Sequence, residues 1–500
     1  MQALPAPAGS QVGRELARRL LLASADVPAG GPGARDLITL RADRLLAAGR
    51  AGDAAALIGA VGASTRRGTG LDAQAAEAAF LAGQNDQACA LVDAAVAQAA
   101  GPEGLKATAF CRALIGDAEG AGLAIDMLRE DKVDDPAFVT LMAVLLGGKP
   151  PKADPKAEAK LWADPTPLRL AMAHAAKVPL PESLYLNTPA RLMPALLAAD
   201  ATTAGAKAGR LDVARRAEGL GLIDSNTLGK IYEAADFTDA ERAGGMEAAR
   251  AMTGARQAAR LHQIIRAASS PEAAADAVRL ALSTSLAPAM RANGTFGTAV
   301  RLEGAGLRAI TPTASQTTTA PLAIRTLIAA GDVDGALGWY QMLRDAAPGN
   351  SVVAFLVLDL WPLVQAADGG RKLPWGVESP ARWLRGQAAA GDRFRRAAIA
   401  WTLFEWRGWP VNDAAWEPVR AGLSDPGRPA QPELVAEMTA AAAKGESGHA
   451  LLALVALLGD SAPDRLAIAD LKAVLATLDG LGLRAEANAL AAEAAIGSGL

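Results

Sequence analysis

Glycine and alanine recur together at a nearly fixed interval in the first quarter of this 500-residue chain. Three glycines, spaced 34 and 33 residues apart, are each followed five residues later by an alanine. The pairs are Gly49 with Ala54, Gly83 with Ala88 and Gly116 with Ala121. Glycine ends a helix in a conformation with positive φ, and a small alanine lets the next helix approach closely. The interval therefore predicts a series of antiparallel helical hairpins.

Composition favours helices and excludes several classes of protein. About a quarter of the residues are alanine, the strongest helix former, and only 4% are aromatic. With 51% apolar and 21% charged residues, the chain as a whole is not intrinsically disordered. Its 50 basic and 53 acidic side chains give a net charge of −3, so we expect no nucleic-acid partner. Alternating strand patterns do not persist, and we predict an all-α fold.

The clearest copy of the hairpin pattern lies at residues 329–348. Gly331, Ala336, Tyr340 and Pro348 are its turn glycine, its crossing alanine, a large residue one turn later and a closing proline. The segment resembles the second half of a tetratricopeptide repeat. This resemblance implies a degenerate α-solenoid, since the Trp, Leu, Gly and Tyr pattern of the first helix is mostly absent. The minimal pair recurs as Gly482 with Ala487 and, one residue out of step, as Gly391 with Ala397.

A second resemblance is to Ala-rich, mostly helical α-proteobacterial proteins of unknown function that carry the label antifreeze-glycopeptide-polyprotein-like. The segments that carry it are 165–173, 228–238 and 360–363. A solenoid with a hydrophobic core has no regular array to match ice, so this resemblance implies no ice binding.

Segments rich in proline, glycine or threonine divide the chain into six predicted regions. Proline breaks helices because it lacks an N–H donor and restricts the residue before it. The regions are a flexible N-terminal segment (1–33), tetratricopeptide-like hairpins (34–147), a Pro-rich linker (148–166), a helical middle region (167–310), a Thr-rich loop (311–322) and a tetratricopeptide-like C-terminal region (323–500).

Cys89 and Cys111 are the two cysteines of the chain, too few for a zinc site. In the repeat frame Cys89 lies on the second helix of one hairpin and Cys111 on the first helix of the next, at levels that antiparallel packing brings together. Two alternatives stay open, a disulfide and a pair of buried thiols. Because disulfides persist mainly outside the cytosol, the pair favours a periplasmic location over a cytoplasmic one.

The sequence predicts no membrane span. The longest apolar run that we find, residues 450–458, is too short to cross a bilayer. The first ten residues lack a basic segment followed by an apolar core, so they are no secretory signal but are compatible with a trimmed mature end.

Catalytic and metal-binding patterns are missing from the sequence. His174, His262 and His449 are far apart and belong to no metal motif. Glu182 before Ser183 is similar to the catalytic Glu of soluble lytic transglycosylases, but the Gly-Leu-Met-Gln block of that family is missing. We therefore expect no enzyme activity, no cofactor and no metal.

Tryptophan and arginine are concentrated in one segment: seven of the nine tryptophans lie between 361 and 416. These residue types are enriched at binding hot spots, but the rings could instead fill a core, with Trp401 and Phe404 on one face of a helix over 393–407, and we favour the core for the group. Both interpretations stay open. The candidate partner-binding residues are Trp375, Trp383, Arg395, Arg396, Trp406, Arg407 and Trp409.

These patterns together predict a non-enzymatic helical-repeat scaffold for protein–protein interaction in a bacterial cell-envelope assembly. One alternative is the helical platform of a peptidoglycan-acting or other envelope enzyme system. Another is a purely structural part of an envelope or motility machine.

Overall fold

The computed structural model of the protein describes most of the chain. The described residues are 4–24, 34–62, 66, 70–95, 101–149, 155–199, 201–287, 295–375, 379–388 and 390–500. Within them the regular structure is helical, and the only β-type pairing is an isolated bridge between Arg428 and Leu466. The prediction of an all-α fold is confirmed.

The chain forms two compact units. The first comprises Leu21–Ile223, and the second comprises Ala3–Leu20 together with Asp224–Leu500. The boundary after Ile223 falls inside the predicted middle region 167–310, where the sequence has no proline-rich break to mark it.

Helix α1 (Gln11–Leu22) opens the chain, and twelve more helices follow in the described part of the first unit. They are α2 (Ala34–Ala47), α3 (Ala51–Gly59), α4 (Leu71–Leu81), α5 (Asn85–Ala95), α6 (Pro102–Leu114), α7 (Ala118–Glu130), α8 (Pro136–Leu145), α9 (Pro155–Leu161), α10 (Pro167–Ala175), α11 (Ser183–Leu186), α12 (Met193–Ala198) and α13 (Ala204–Gly219). A 3₁₀ turn over Ala190–Leu192 precedes α12.

The described part of the second unit contains seventeen helices after α1. They are α14 (Ser225–Glu233), α15 (Asp239–Ala243), α16 (Gly245–Ala251), α17 (Gly254–Ala267), α18 (Pro271–Leu286), α19 (Thr295–Glu303), α20 (Ala305–Arg308), α21 (Ala320–Ala329), α22 (Val333–Ala346), α23 (Ser351–Asp368), α24 (Pro380–Gly386), α25 (Arg393–Trp406), α26 (Asp413–Gly422), α27 (Pro432–Ala443), α28 (Ser447–Leu458), α29 (Ile468–Gly480) and α30 (Arg484–Gly497). The predicted helix over 393–407 corresponds to α25.

The glycine–alanine pairs form the turns of the hairpins. All five in-register turn glycines have φ between +72° and +79°, and all five partner alanines are fully buried. A sixth pair that the sequence analysis missed, Gly445 with Ala450, has the same geometry. These turns join α2 to α3, α4 to α5, α6 to α7, α21 to α22, α27 to α28 and α29 to α30. Gly391, one residue out of step, does not have a positive φ.

Each of the six turns is closed by the same two backbone hydrogen bonds. At the first, the Gly49 amide donates to the Leu46 carbonyl and the Arg50 amide to the Leu45 carbonyl, both at 2.9 Å. These bonds make a Schellman motif, which satisfies the carbonyls at the end of a helix. A Cβ at Gly49 would lie 2.4 Å from the Ala190 carbonyl oxygen. Glycine is therefore required there by its backbone angles and by packing.

Three predicted irregular regions contain helical structure. The segment 1–33 includes α1, the linker 148–166 includes α9, and the loop 311–322 includes a 3₁₀ turn over Ala314–Gln316 and the first residues of α21. In the predicted linker, Pro155 is the first residue of α9, where its missing N–H is not needed.

A half-buried carboxylate from α30 anchors the start of α1 within the second unit. Glu493 accepts hydrogen bonds from the Ser10 hydroxyl (2.9 Å) and from the Gln11 and Val12 amides (3.2 and 3.1 Å). Burial raises the pKa of Glu493, while the three donors act in the opposite direction. Val12 and Leu16 are buried beside this contact. The start of α1 is thus held by one acid and by buried apolar side chains, and residues 11–22 of the segment expected to be flexible form a helix.

One helix of the described chain, α23, is long and apolar enough to cross a membrane by length and composition. Half of its 18-residue window is buried inside the protein. The buried half includes the polar Gln365 and Asp368. The core helix of a water-soluble protein passes the same test, so this helix is weak evidence for a span.

A disulfide joins α5 to α6. Cys89 and Cys111 have their Cα atoms 5.4 Å apart and their sulfurs bonded at 2.03 Å. Of the two alternatives that the sequence left open, the structure contains the disulfide. The bond links the second helix of one hairpin to the first helix of the next.

Removing this disulfide should destabilise the first unit. The bond closes a loop between residues 22 positions apart, and the loss of that constraint on the unfolded chain corresponds to about 3 kcal/mol. The double variant Cys89→Ser with Cys111→Ser should have a free energy of unfolding, measured in urea, that is lower by about 3 kcal/mol. The matched comparison is the wild type without dithiothreitol, which keeps the disulfide, against the wild type with dithiothreitol, which loses it. Equal free energies of unfolding for these two samples and the double variant would contradict the expectation.

Stability should also depend on the protonation of His449 in the α27–α28 hairpin. Hydrogen bonds to the carboxylates of Glu437 and then of Glu446 raise the pKa of His449. Because the pKa of His449 is higher in the folded state, its protonation adds to the free energy of unfolding. This stabilisation is fully present below the pKa of the unfolded state, about 6.5, and is lost as the pH rises through the pKa of the folded state. Because the groups are half-exposed, the effect should be small.

The measurement is the melting temperature of the wild type and of Glu437→Gln between about pH 5 and about pH 9. The difference between the two proteins should shrink as the pH rises. A difference that does not change with pH would contradict the assigned ion pair.

Candidate functional site

Six aromatic side chains between 361 and 416 form one cluster in the second unit: Trp361, Trp375, Trp383, Trp401, Phe404 and Trp409. Phe404 lies 5.2 Å from Trp361, 5.7 Å from Trp401 and 5.0 Å from Trp375 between ring centroids. Trp383 packs edge-on against Trp401 at 5.6 Å. Phe404, Trp361, Trp383 and Trp401 are at most 1% exposed. These four rings are therefore core residues of α23, α24 and α25.

The indole N–H groups of the buried rings have partners inside the protein. Trp383 donates to the Asp359 carbonyl (3.1 Å), and Trp401 donates to the Ala415 carbonyl (3.3 Å). Trp361 donates to the Gln365 side chain one turn later in α23 (3.2 Å). Buried tryptophan needs such partners. The aromatic cluster thus fastens three helices together.

Arg396 is buried with this core and holds an internal ion pair. Its guanidinium donates to Asp359 (3.2 Å) and to Gln387 (2.8 Å), and it lies over the ring of Trp383 at 5.5 Å. Trp383 and Arg396 were candidate partner contacts. Both are enclosed in the folded unit, so the structure places them in the core and not on a binding surface.

Arg395, the preceding residue of α25, is half-buried. Its guanidinium donates to the Pro426 carbonyl at 2.9 Å and to the Asp464 carbonyl at 2.6 Å. Burial lowers the pKa of Arg395. The side chain holds two loops against α25, which explains its position without a partner.

The remaining candidates are half-buried. Trp406 donates to Asp479 at 2.8 Å and lies 4.2 Å below the guanidinium of Arg407. Arg407 also donates to the Ala366 carbonyl, and its pKa is lowered by burial. Trp375 and Trp409 stack in parallel at 5.3 Å. The structure thus brings the predicted tryptophans and arginines into one region, but much of their surface is used internally.

Exposed apolar surface is concentrated elsewhere, in the first unit. Nine large apolar side chains of the described chain are exposed, and six of them lie between residues 114 and 146. The six are Leu114, Ile115, Leu123, Met127, Val139 and Leu146. They belong to α6, α7, α8 or the residues that directly follow α6 and α8. Exposed apolar side chains gathered in one region are typical of interaction sites.

Hydrophobic periodicity does not predict this surface, because α7 is apolar on two sides. Its buried face contains Ala121, Ala124 and Leu128, whereas Leu123 and Met127 are 66% and 45% exposed. Periodicity alone assigns apolar positions to the core, and it cannot tell which of two apolar stripes is covered. Among sequence signals, only the excess of apolar positions on a single helix could have indicated a second face.

A buried histidine–glutamate pair joins α17 to α19. His262 Nδ1 lies 2.8 Å from Glu303 Oε1, and both side chains are about 5% exposed. His262 Nε2 is buried, 3.8 Å from the Glu233 carboxylate on α14. A carboxylate that orients an imidazole occurs in catalytic triads, but neither ring nitrogen of His262 is hydrogen-bonded to a Ser or Cys of the described residues. The pair is best described as a polar link between core helices.

The other two histidines, His174 and His449, are exposed. Among the residues that the structure describes, no three His, Cys, Asp or Glu side chains are grouped so that they could hold a metal ion.

Comparisons with protein-family models, with curated proteins and with solved structures found no match to this chain. A functional assignment therefore depends on the residues and their geometry.

Breaking the buried pair on one side should destabilise the second unit strongly. His262→Leu leaves the Glu303 carboxylate buried without its partner, which costs about 3–5 kcal/mol in comparable pairs. His262→Leu combined with Glu303→Leu removes both polar groups and should recover much of that loss. Urea unfolding measures both variants, with the exposed His174→Leu as the control. A double variant less stable than His262→Leu would contradict the assigned coupling.

Proposed function

We propose that this protein is a non-enzymatic scaffold of tetratricopeptide-like helical hairpins that binds a protein partner. The six Schellman turns, each followed by a fully buried alanine, support the hairpin part of the proposal. Helices joined in this way bury their apolar faces against neighbouring helices, so one face of a hairpin is left for a partner.

The observation that carries the binding role is the exposed apolar surface on α6–α8. Leu123 and Met127 alone present two large side chains on one helix face, separated by one turn. Folded monomers rarely expose such groups together unless the surface has a partner. We therefore take α6–α8 as the binding surface and the aromatic cluster as part of the structural core.

The disulfide between Cys89 and Cys111 supports an oxidising compartment. Structural disulfides persist in oxidising compartments, which include the bacterial periplasm. We infer a periplasmic scaffold that works as part of a cell-envelope assembly.

The test is cross-linked affinity capture from the native cell with the wild type and with Leu123→Gln plus Met127→Gln. Glutamine keeps the helix propensity of α7 and removes its exposed apolar groups. The matched control is Val352→Gln plus Phe355→Gln, which removes two equally exposed apolar side chains from α23 in the second unit.

We expect the α7 variant to lose at least one stoichiometric partner that the wild type and the α23 variant both capture. The three proteins should have equal melting temperatures. Identical capture by all three would remove the support for α6–α8 as the binding surface.

A further inference from the structure

The exposed face of α7 combines apolar and acidic side chains in one stripe. Glu119, Leu123, Asp126, Met127 and Glu130 are all exposed, and their spacing of four, three, one and three residues places them on the same side of the helix. The two apolar groups lie at the middle of the stripe. Carboxylates stand at both ends and beside the centre.

These carboxylates are available for a partner. In the part of the chain that the structure describes, the Glu119 and Glu130 side chains make no hydrogen bond or ion pair. Asp126 pairs with Arg129 at 2.8 Å, but both side chains are at least 66% exposed. Such an exposed pair contributes little and is easily exchanged for another.

The net charge around the stripe is negative. Residues 112–135 contain seven acidic and three basic side chains, a net charge of −4, whereas the whole chain has a net charge of only −3. The acidic excess therefore coincides with the exposed apolar surface of α6 and α7. A partner that covers Leu123 and Met127 must come close to these carboxylates, so positive charge on the partner is favoured.

We propose that the α7 stripe binds a basic amphipathic helix of a partner protein. The inference rests on the proposed function and identifies the chemistry of the partner. Leu123 and Met127 would pack against the apolar face of the incoming helix, and lysine or arginine at its edges would face Glu119, Asp126 and Glu130. Helix α7 is 13 residues long, or about 20 Å, which matches roughly four turns of a bound helix.

Methionine and leucine suit this role. Met127 has a flexible side chain that adapts to differently shaped apolar partners. Apolar anchors on one helix, recognised through one face of another, are a recurrent way of binding peptides. An anionic lipid surface does not fit the stripe, because its charge has the same sign as the carboxylates.

The experiment uses the full-length oxidised protein and a labelled synthetic peptide with leucine on one helical face and lysine on the flanks, measured by fluorescence anisotropy. One comparison peptide has the same composition in scrambled order. A second replaces every lysine with glutamate. We expect the leucine–lysine peptide to bind at least about tenfold more tightly than either, and to bind more weakly as salt rises from about 0.05 M to about 0.3 M.

Variants test the location of the site. Glu119→Gln with Glu130→Gln should weaken binding about tenfold, and so should Leu123→Gln with Met127→Gln. The control, Glu417→Gln with Glu433→Gln, removes two exposed carboxylates from the second unit and should leave binding unchanged. Circular dichroism and melting temperature show that each variant is folded, and hydrogen exchange of the wild type should slow in α7 when the peptide is added.

Three results would overturn the inference. The first is equal affinity for the lysine and the glutamate peptides. The second is a control variant, Glu417→Gln with Glu433→Gln, that weakens peptide binding as much as the α7 variants do. The third is binding of the wild type to zwitterionic lipid vesicles that is lost in Leu123→Gln with Met127→Gln. If the native partner is still lost by the α7 apolar variant while the lysine peptide shows no preference, this inference fails and the proposed scaffold function stands.

Discussion

The hairpins of this protein depend on a turn that reverses the chain within a few residues and lets two helices touch. Glycine supplies the positive φ, two backbone hydrogen bonds close the helix end, and an alanine five residues later is fully buried where the next helix crosses. A side chain at Gly49 would collide with the backbone at Ala190. Six repetitions of this unit organise both parts of the chain.

Polar contacts between segments that are distant in sequence determine how helices outside a single hairpin pack against one another. Glu493 holds the first turn of α1 from a position 482 residues away from Gln11. Asp359 accepts a hydrogen bond from Arg396, and His262 pairs with Glu303. Each of these groups would be costly to bury alone, so each contact favours one arrangement of its helices over others. The aromatic cluster adds bulk where alanine is too small to fill the space between α23, α24 and α25.

Local signals in the sequence were sufficient for the turns and insufficient for the surfaces. The Gly331 and Ala336 pair was predicted with its conformation and its burial, because both follow from short-range sterics. For the tryptophans the sequence allows both a core and an interface position, because a segment rich in Trp and Arg fits either environment. Trp383 and Arg396 proved to be core residues, and the exposed pair Leu123 and Met127 was missed, because burial depends on which helices pack on each face.

The sequence by itself determined an all-α chain whose hairpins turn at glycines. It also determined that the two cysteines lie at matching positions on adjacent antiparallel helices. These properties depend on backbone conformation and on spacing along one or two helices. Only the tertiary structure decided that residues 11–22 are held by Glu493, that the aromatic residues form an internal cluster, and that α7 presents an uncovered apolar and acidic face. The physical reason is that exposure is a property of the whole packing arrangement, and no residue carries that information in its own type.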